Sequence, residues 1–114
     1  MSVYVDFAYL PYGTMKMCHM WADTAEELHA MADAIGLKRR WYQCPSGPGV
    51  KRVSFPHYDV GAGKRAKAVE LGAIEVSDRA EAVNHRRSVR ARMIDDFEFA
   101  KTWGYAVAIA GAPR

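Results

Sequence analysis

No apolar run in the 114 residues approaches the roughly 20 that a membrane-spanning helix needs, which excludes such a span. Cysteine is scarce: Cys18 and Cys44 are the whole complement, too few for a disulfide scaffold and not spaced as a CxxC pair or a zinc motif. The opening Met1-Ser2-Val3-Tyr4-Val5-Asp6 lacks the basic start and long apolar stretch of a secretion signal. Reduced thiols and the missing leader lead to the expectation of a cytoplasmic protein with no membrane partner. Low-complexity segments and internal repeats are missing too. So are the common catalytic signatures. There is no GxxxxGK followed by a hydroxyl, no HExxH, and no GxSxG around Ser2, Ser46, Ser54 or Ser77. The excess of base over acid is mild, 16 against 13, and makes no general case for a polyanionic partner.

What is present is the make-up of one globular domain, half apolar and one quarter charged. Val3, Val5 and Phe7 alternate with Tyr4, Asp6 and Ala8 in the period of a strand. Leu10-Pro11-Tyr12-Gly13 reads as a turn. A second strand follows with Met15, Met17, His19 and Trp21 on one face, which makes a hairpin with a long loop. Thr24 and Glu27 match a capping box, in which the hydroxyl accepts from the third helical amide and the carboxylate reaches back. Leu28, Met31, Ala32 and Ile35 form one apolar stripe, and Gly36 stands where a left-handed C-terminal cap belongs.

Residues 40–44 read as a short strand with Trp41 and Tyr42, 45–49 as a surface loop, and 50–55 as a further hairpin arm. A second helix is expected over 61–71 with Ala62, Ala66 and Val69 inward, then a brief buried strand over 73–76. Residues 78–101 read as one long helix whose stripe is Ala82, Val89, Met93, Phe97 and Ala100, with Arg79, Arg86 and Arg90 beside it. This alternation predicts an α/β (α+β) class, a small mixed sheet covered by two or three helices in a single-domain sandwich. Residues 1–77 would be its core. Residues 78–114 would be a helical extension and apolar tail that packs on that core or on a partner, including a second copy of the chain.

The best local signal for chemistry is His57-Tyr58-Asp59-Val60-Gly61-Ala62-Gly63-Lys64-Arg65. Helix N-termini disfavour cations, yet Lys64 and Arg65 fall in the first turn of the second helix. A bound phosphate resolves that conflict; the competing reading has Asp59 capping the helix and both cations in solvent. The expectation is a phosphorylated small molecule or nucleotide held there by Lys64 and Arg65, with His57 and Tyr58 orienting or stacking on the remainder. Trp41 is a further stacking candidate, although core packing competes for it as for Trp21.

A second constellation is Asp6, His19, Asp23, His29, His57 and Asp59. Imidazole and carboxylate ligate divalent ions or move protons near neutral pH. Here His19, His57 and Asp59, with Asp6, would activate water for a phosphoester hydrolase or nuclease, directly or through a divalent ion. Their spacing matches no metal motif, so none is assigned as a ligand and no cofactor is named. Packing competes for three of the six: His19 as a hydrogen-bonded core histidine, His29 flanking a buried stripe, Asp23 as a cap. A Cys44–His57 nucleophile pair is also conceivable. The arginines of the last helix suit nucleic acid, but Asp78, Glu81, Asp95 and Asp96 dilute them. A third class, a protein-interaction factor using the basic last helix and apolar tail, stays open, and so does the question of catalysis.

Taken in order, Tyr4-Val5-Asp6, His19-Met20-Trp21-Ala22-Asp23-Thr24, Glu27-Leu28-His29, Ile35-Gly36-Leu37, Trp41-Tyr42-Gln43, His57-Tyr58-Asp59 and Lys64-Arg65 through Ala68 to Gly72-Ala73 form a linked series. It resembles the domain-of-unknown-function 4031 family, short bacterial and phage proteins, over residues 3–76. The resemblance implies no activity. It implies that His19, Asp23, Trp41, His57, Tyr58 and Asp59 belong to the family pattern, and a nucleotide context, since such members adjoin nucleotide-handling domains in longer chains. From Asp78 onward the chain departs from the series.

Overall fold

The computed structural model describes residues 2–45 and 53–104. Within them the chain runs β1 (Val3–Val5), β2 (Leu10–Tyr12), β3 (Met15–Ala22), α1 (Ala25–Ala34), a 3₁₀ turn (Arg39–Trp41), β4 (Tyr58–Gly61), α2 (Ala62–Glu70), β5 (Ile74–Glu75), α3 (Arg79–Asp95) and α4 (Phe97–Thr102). The eight-residue β3 is the spine. It pairs antiparallel with β4 along one edge, and with β2 and β1 end to end along the other. β5 then joins β1 in parallel, so the sheet is mixed and the class is α+β as expected.

Register divides the side chains. Tyr4 opposite Trp21 and His19 opposite Asp59 put these four on one face. Val5 opposite Met20 and Cys18 opposite Val60 line the other. Against that apolar face α1 lays Leu28, Ala32 and Ile35, and α2 lays Ala68, all fully buried. Burying each large apolar side chain contributes about 1.5–3 kcal/mol, so this face holds the sandwich together. The capping of α1 follows its sequence: Thr24 accepts from the Glu27 N–H at 3.2 Å. The Glu27 carboxylate accepts the Thr24 hydroxyl proton at 2.8 Å, which differs from the back-reaching bond expected.

Other elements depart from the local reading. Leu10-Pro11-Tyr12 pairs with β3 as a strand, and the turn falls at Gly13, whose φ of +62° suits glycine. Residues 40–44 form no strand: a 3₁₀ turn is followed by one isolated bridge between Gln43 and His57. His57 bridges and Tyr58–Gly61 is a strand, so the helix begins only at Ala62. α2 turns Arg65 and Ala68 inward and leaves Ala62 and Ala66 exposed. β5 is exposed rather than buried.

The helix expected over 78–101 breaks at Asp96, whose side chain accepts from the Phe99 N–H and starts α4. A short carboxylate that caps the next turn competes with continuation of the helix. α3 begins over the polar face, with Ala82 against Trp21 and Phe55. Further along, Val89, Met93 and Trp103 join the main core. The apolar stripe of α3 is therefore covered by the chain itself. The expected apolar tail beyond residue 104 and residues 50–52 of the expected arm lie outside the described residues, and 53–55 form no strand. Among the described residues no helix is long and apolar enough to cross a membrane.

Candidate metal centre

The site is built at a gap in the sheet. Between β1 and β2 the chain leaves the β3 edge, and Asp6 takes over as the partner of His19. The Asp6 N–H donates to the His19 carbonyl at 3.2 Å. Its Oδ1 accepts from the backbone N–H of His19 at 2.9 Å and of Ala8 at 3.2 Å. Its Oδ2 lies 2.7 Å from His19 Nδ1. Tyr9, at φ +46°, then turns the chain back toward β2. Burial pushes the Asp6 carboxyl up, but the bonds from the His19 ring and backbone and from Ala8 outweigh it and hold the group at about 2. An ionised Asp6 keeps a proton on His19 Nδ1, orients the ring and leaves Nε2 for other duty.

His57 is fixed in the same manner by a different acceptor. Its Nδ1 lies 2.8 Å from the Phe55 carbonyl oxygen, which leaves Nε2 3.4 Å from Asp59 Oδ1. Gln43, brought alongside by its bridge to His57, donates from Nε2 to Asp59 Oδ2 at 2.8 Å. The His57 hydrogen bond holds the Asp59 carboxyl below its ordinary value; burial opposes this and Gln43 adds to it. The His19 and His57 rings stand edge to face with centroids 5.2 Å apart. One donor atom from each of His19, His57 and Asp59 lies within 4.8 Å of the others. All three line a cleft of about 340 Å³ whose rim carries Leu10 and Tyr12. Two imidazoles and a carboxylate, each oriented by a further hydrogen bond, are donors that zinc and manganese accept.

The other candidate residues lie elsewhere. Lys64 donates from Nζ to the Ile35 carbonyl at 2.8 Å, a cation against the C-terminal end of α1. Gly36 permits this approach: its φ is +85°, and a Cβ there would come within 2.8 Å of Nζ. Arg65 is buried, with Nε on the Asp6 carbonyl at 2.9 Å and NH1 on Glu75 at 2.8 Å. Its guanidinium lies 4.3 Å from the Phe7 ring centroid. Both cations at the start of α2 thus have protein partners, although Arg65 Nη2 is buried with no hydrogen-bond partner among the described residues. Gly61 caps α2 without a side-chain bond, and Asp59 is engaged by His57 and Gln43 instead.

Tyr58 is fully buried on the apolar face, its hydroxyl 2.8 Å from His29 Nδ1. Burial of His29 lowers its pKa, in keeping with a neutral ring that accepts this proton. Trp41 is exposed on the 3₁₀ turn, outside the cleft that holds His19 and His57, rather than packed in the core. Trp21 is in the core as expected. Burial raises the Cys44 thiol, which donates to the Trp103 carbonyl at 2.8 Å; that bond leaves no nucleophile pair with His57. Asp23 accepts from Tyr4 and Ser2 and pairs with His85.

Three contributors escaped the sequence reading as members of the site: Gln43, Phe55 and Arg86. Gln43 stood in the linked series without a role, and Arg86 carried a signal because positions 82, 85, 86, 89 and 93 are one helical face, and two of them are polar. Arg86 reaches across to Asp6 Oδ2 at 3.1 Å and lies 4.4 Å over the Phe55 ring. No curated protein and no solved structure matches the chain. A family model matches residues 3–90, past the end of the resemblance at 76 and far enough into α3 to take in His85 and Arg86. The sheet, the His–His–Asp cluster and the helix that reaches it all fall within that span, and the chain belongs to the family described as Protein of unknown function (DUF4031).

Proposed function

We propose that the chain is a phosphoester hydrolase that binds one divalent ion through His19, His57 and Asp59. The observation that carries this reading is the convergence of the three donors within 4.8 Å, with both Nδ1 atoms already engaged so that each ring offers Nε2. Bonds of about 2.0–2.2 Å would draw the three donors together from their separations of up to 4.8 Å. Three protein ligands leave further positions open to water and substrate, the arrangement of a catalytic rather than a structural ion. When bound, the ion supplies a water whose pKa is brought toward neutrality and polarises a phosphoryl oxygen.

The chain's own residues do the rest. Asp6 fixes the tautomer and orientation of His19, and Gln43 holds one oxygen of Asp59 so that the other faces His57. Hydrolysis forms a bond from water oxygen to phosphorus and breaks the bond to the alcohol, which leaves with a proton. The cationic side chains that α3 brings beside His19 favour an anionic ester over a neutral one. Phosphorylated ligands therefore remain the expected class, with the site moved from the start of α2 to the cleft on the polar face.

The test is a titration of chelator-treated protein with Zn²⁺ and Mn²⁺ by calorimetry, followed by release of nitrophenol from bis(p-nitrophenyl) phosphate. Uptake of one ion per chain and metal-dependent release, both lost in His57→Ala and Asp59→Asn, are the expected results. A chain that takes up no ion, or a His57→Ala variant that takes it up as well as wild type, overturns the reading.

A further inference from the structure

We propose that a second cleft, walled by Arg79 and Arg86, is a subsite for an additional phosphate, so that substrates of the metal centre carry a phosphate neighbouring the ester that is cut. This rests on the hydrolase reading and names its substrate class. The cleft has a volume of about 350 Å³ and is lined by Asp6, His19, Ser77, Arg79 and Arg86 among others. His19 and Leu10 line both clefts, so the two meet at the His19 imidazole beside Leu10.

The two sides of that ring are chemically different. Arg86 NH1 and His19 Nδ1 both contact Asp6 Oδ2, at 3.1 and 2.7 Å. The arginines therefore address the Nδ1 side, whereas an ion would bind Nε2. An anion on the arginine side is a neighbour of the reacting phosphorus and not a ligand of the ion. Arg86 is held in place by Asp6 and by the Phe55 and Trp21 rings, with guanidinium-to-centroid distances of 4.4 and 5.3 Å.

Arg79 lies two turns earlier on the same face of α3. Among the described residues it has no hydrogen-bond or ion-pair partner. Burial disfavours the charged form of Arg86, Asp6 restores part of it, and the like charge of Arg79 disfavours it further. Two cations thus converge on one concavity whose single carboxylate, Asp6, is already shared with His19. A phosphate between them removes the repulsion and accepts charge-assisted hydrogen bonds from both forks. The Ser77 hydroxyl in the same lining offers another donor. A nucleoside diphosphate and a 5′-phosphorylated oligonucleotide both present this chemistry, a phosphate beside a phosphoester.

The experiment has two arms. In the first, metal-free full-length protein in chelator is titrated with inorganic phosphate by calorimetry, as wild type, Arg79→Gln and Arg87→Gln. Arg87 is exposed on the same helix and outside the cleft, so it controls for net charge. Arg79→Gln is expected to weaken phosphate about tenfold, as loss of a charge-assisted bond does, and Arg87→Gln to change it less than about twofold. No binding by wild type, an unchanged Arg79→Gln isotherm, or an equal loss in Arg87→Gln overturns the subsite.

In the second arm, manganese-loaded protein is given thymidine dinucleotide with a 5′-phosphate or a 5′-hydroxyl, and thymidine diphosphate. A KM about tenfold lower for one or both compounds with the additional phosphate, a gap that closes in Arg79→Gln, is expected and identifies the source. Equal KM values for all three overturn the substrate assignment. Phosphate binding that responds to Arg79→Gln in a chain that takes up no ion supports the subsite and removes the hydrolase reading.

Discussion

Two carboxylate–histidine groups share one face of the sheet, and they differ in how many of their atoms are engaged. In the first, His19 Nδ1–H donates to Asp6 and His57 Nδ1–H to the Phe55 carbonyl, His57 Nε2 lies 3.4 Å from Asp59 Oδ1, and all three side chains line the cleft. In the second, His85 uses both ring nitrogens. Its Nδ1 accepts from Trp21 Nε1–H at 2.8 Å, and its Nε2 lies 3.2 Å from Asp23 Oδ1. Asp23 Oδ2 accepts in turn from the Tyr4 hydroxyl at 2.9 Å and the Ser2 N–H at 2.8 Å. Because indole can only donate, His85 Nδ1 must accept, and its proton sits on Nε2. The residue types are the same; among the described residues both ring nitrogens of His85 and both oxygens of Asp23 already have partners. It pins α3 to the sheet, whereas the first faces a cleft with unused capacity.

Substitutions at the two groups should therefore give opposite signatures. The largest effect is expected at the open group: His57→Ala should weaken Zn²⁺ by more than the roughly 10–100-fold lost when an outer hydrogen-bond partner of a metal ligand is removed. His85→Ala should leave Zn²⁺ affinity within about threefold, since it contacts none of the three donors. Equal losses in calorimetry would erase the distinction between the groups. Next, Asp6→Asn should cost about 10–100-fold in Zn²⁺ affinity while the far-ultraviolet spectrum is unchanged, because Asp6 acts on the ion only through the tautomer and orientation of His19.

For folding the order reverses. His85→Ala leaves the Trp21 N–H and one Asp23 oxygen without partners, and urea unfolding should show about 1–3 kcal/mol of lost stability. A value near zero would mean that α3 is held by its apolar contacts and Arg86 without help from His85. The smallest effect is a pH dependence. Asp6 ionises at about 2 in the folded chain against an ordinary 3.8, so its contribution is complete above the ordinary value and fades as pH falls from about 4 toward 2. The gap in stability between wild type and Asp6→Asn should narrow across that window, and a gap that widens instead would contradict the placement of Asp6.

Much of the scaffold was legible because its causes are local. The cap at Thr24, the stripe from Leu28 to Ile35 and the stop at Gly36 lie within a few turns of one another, and each is a property of neighbouring side chains. Alternation likewise put His19 and Trp21 on one face of β3. The His–His–Asp trio was named from residue type alone, without a spacing that predicts a metal. At the start of α2, Lys64 and Arg65 have partners that no local rule could supply. A cation near a helix N-terminus is unfavourable only until another element offers it an acceptor. The Ile35 carbonyl and the Asp6 carbonyl come from segments 29 and 59 residues away. Gln43 and Phe55 had no local signature, since each enters the site through its place in an irregular segment.

Determined by the sequence alone were the α1 helix, the faces of β3, the apolar stripe of α3 and the set of side chains able to hold an ion or move a proton. Tertiary structure decided the β3–β4 register that sets His19 opposite Asp59, the gap in the sheet that lets Asp6 grip His19, and which histidines keep a nitrogen free. Periodicity and capping depend on interactions within about one or two helical turns. Register and hydrogen-bond satisfaction depend on which distant groups arrive first in contact, and only the packed sheet supplies those neighbours.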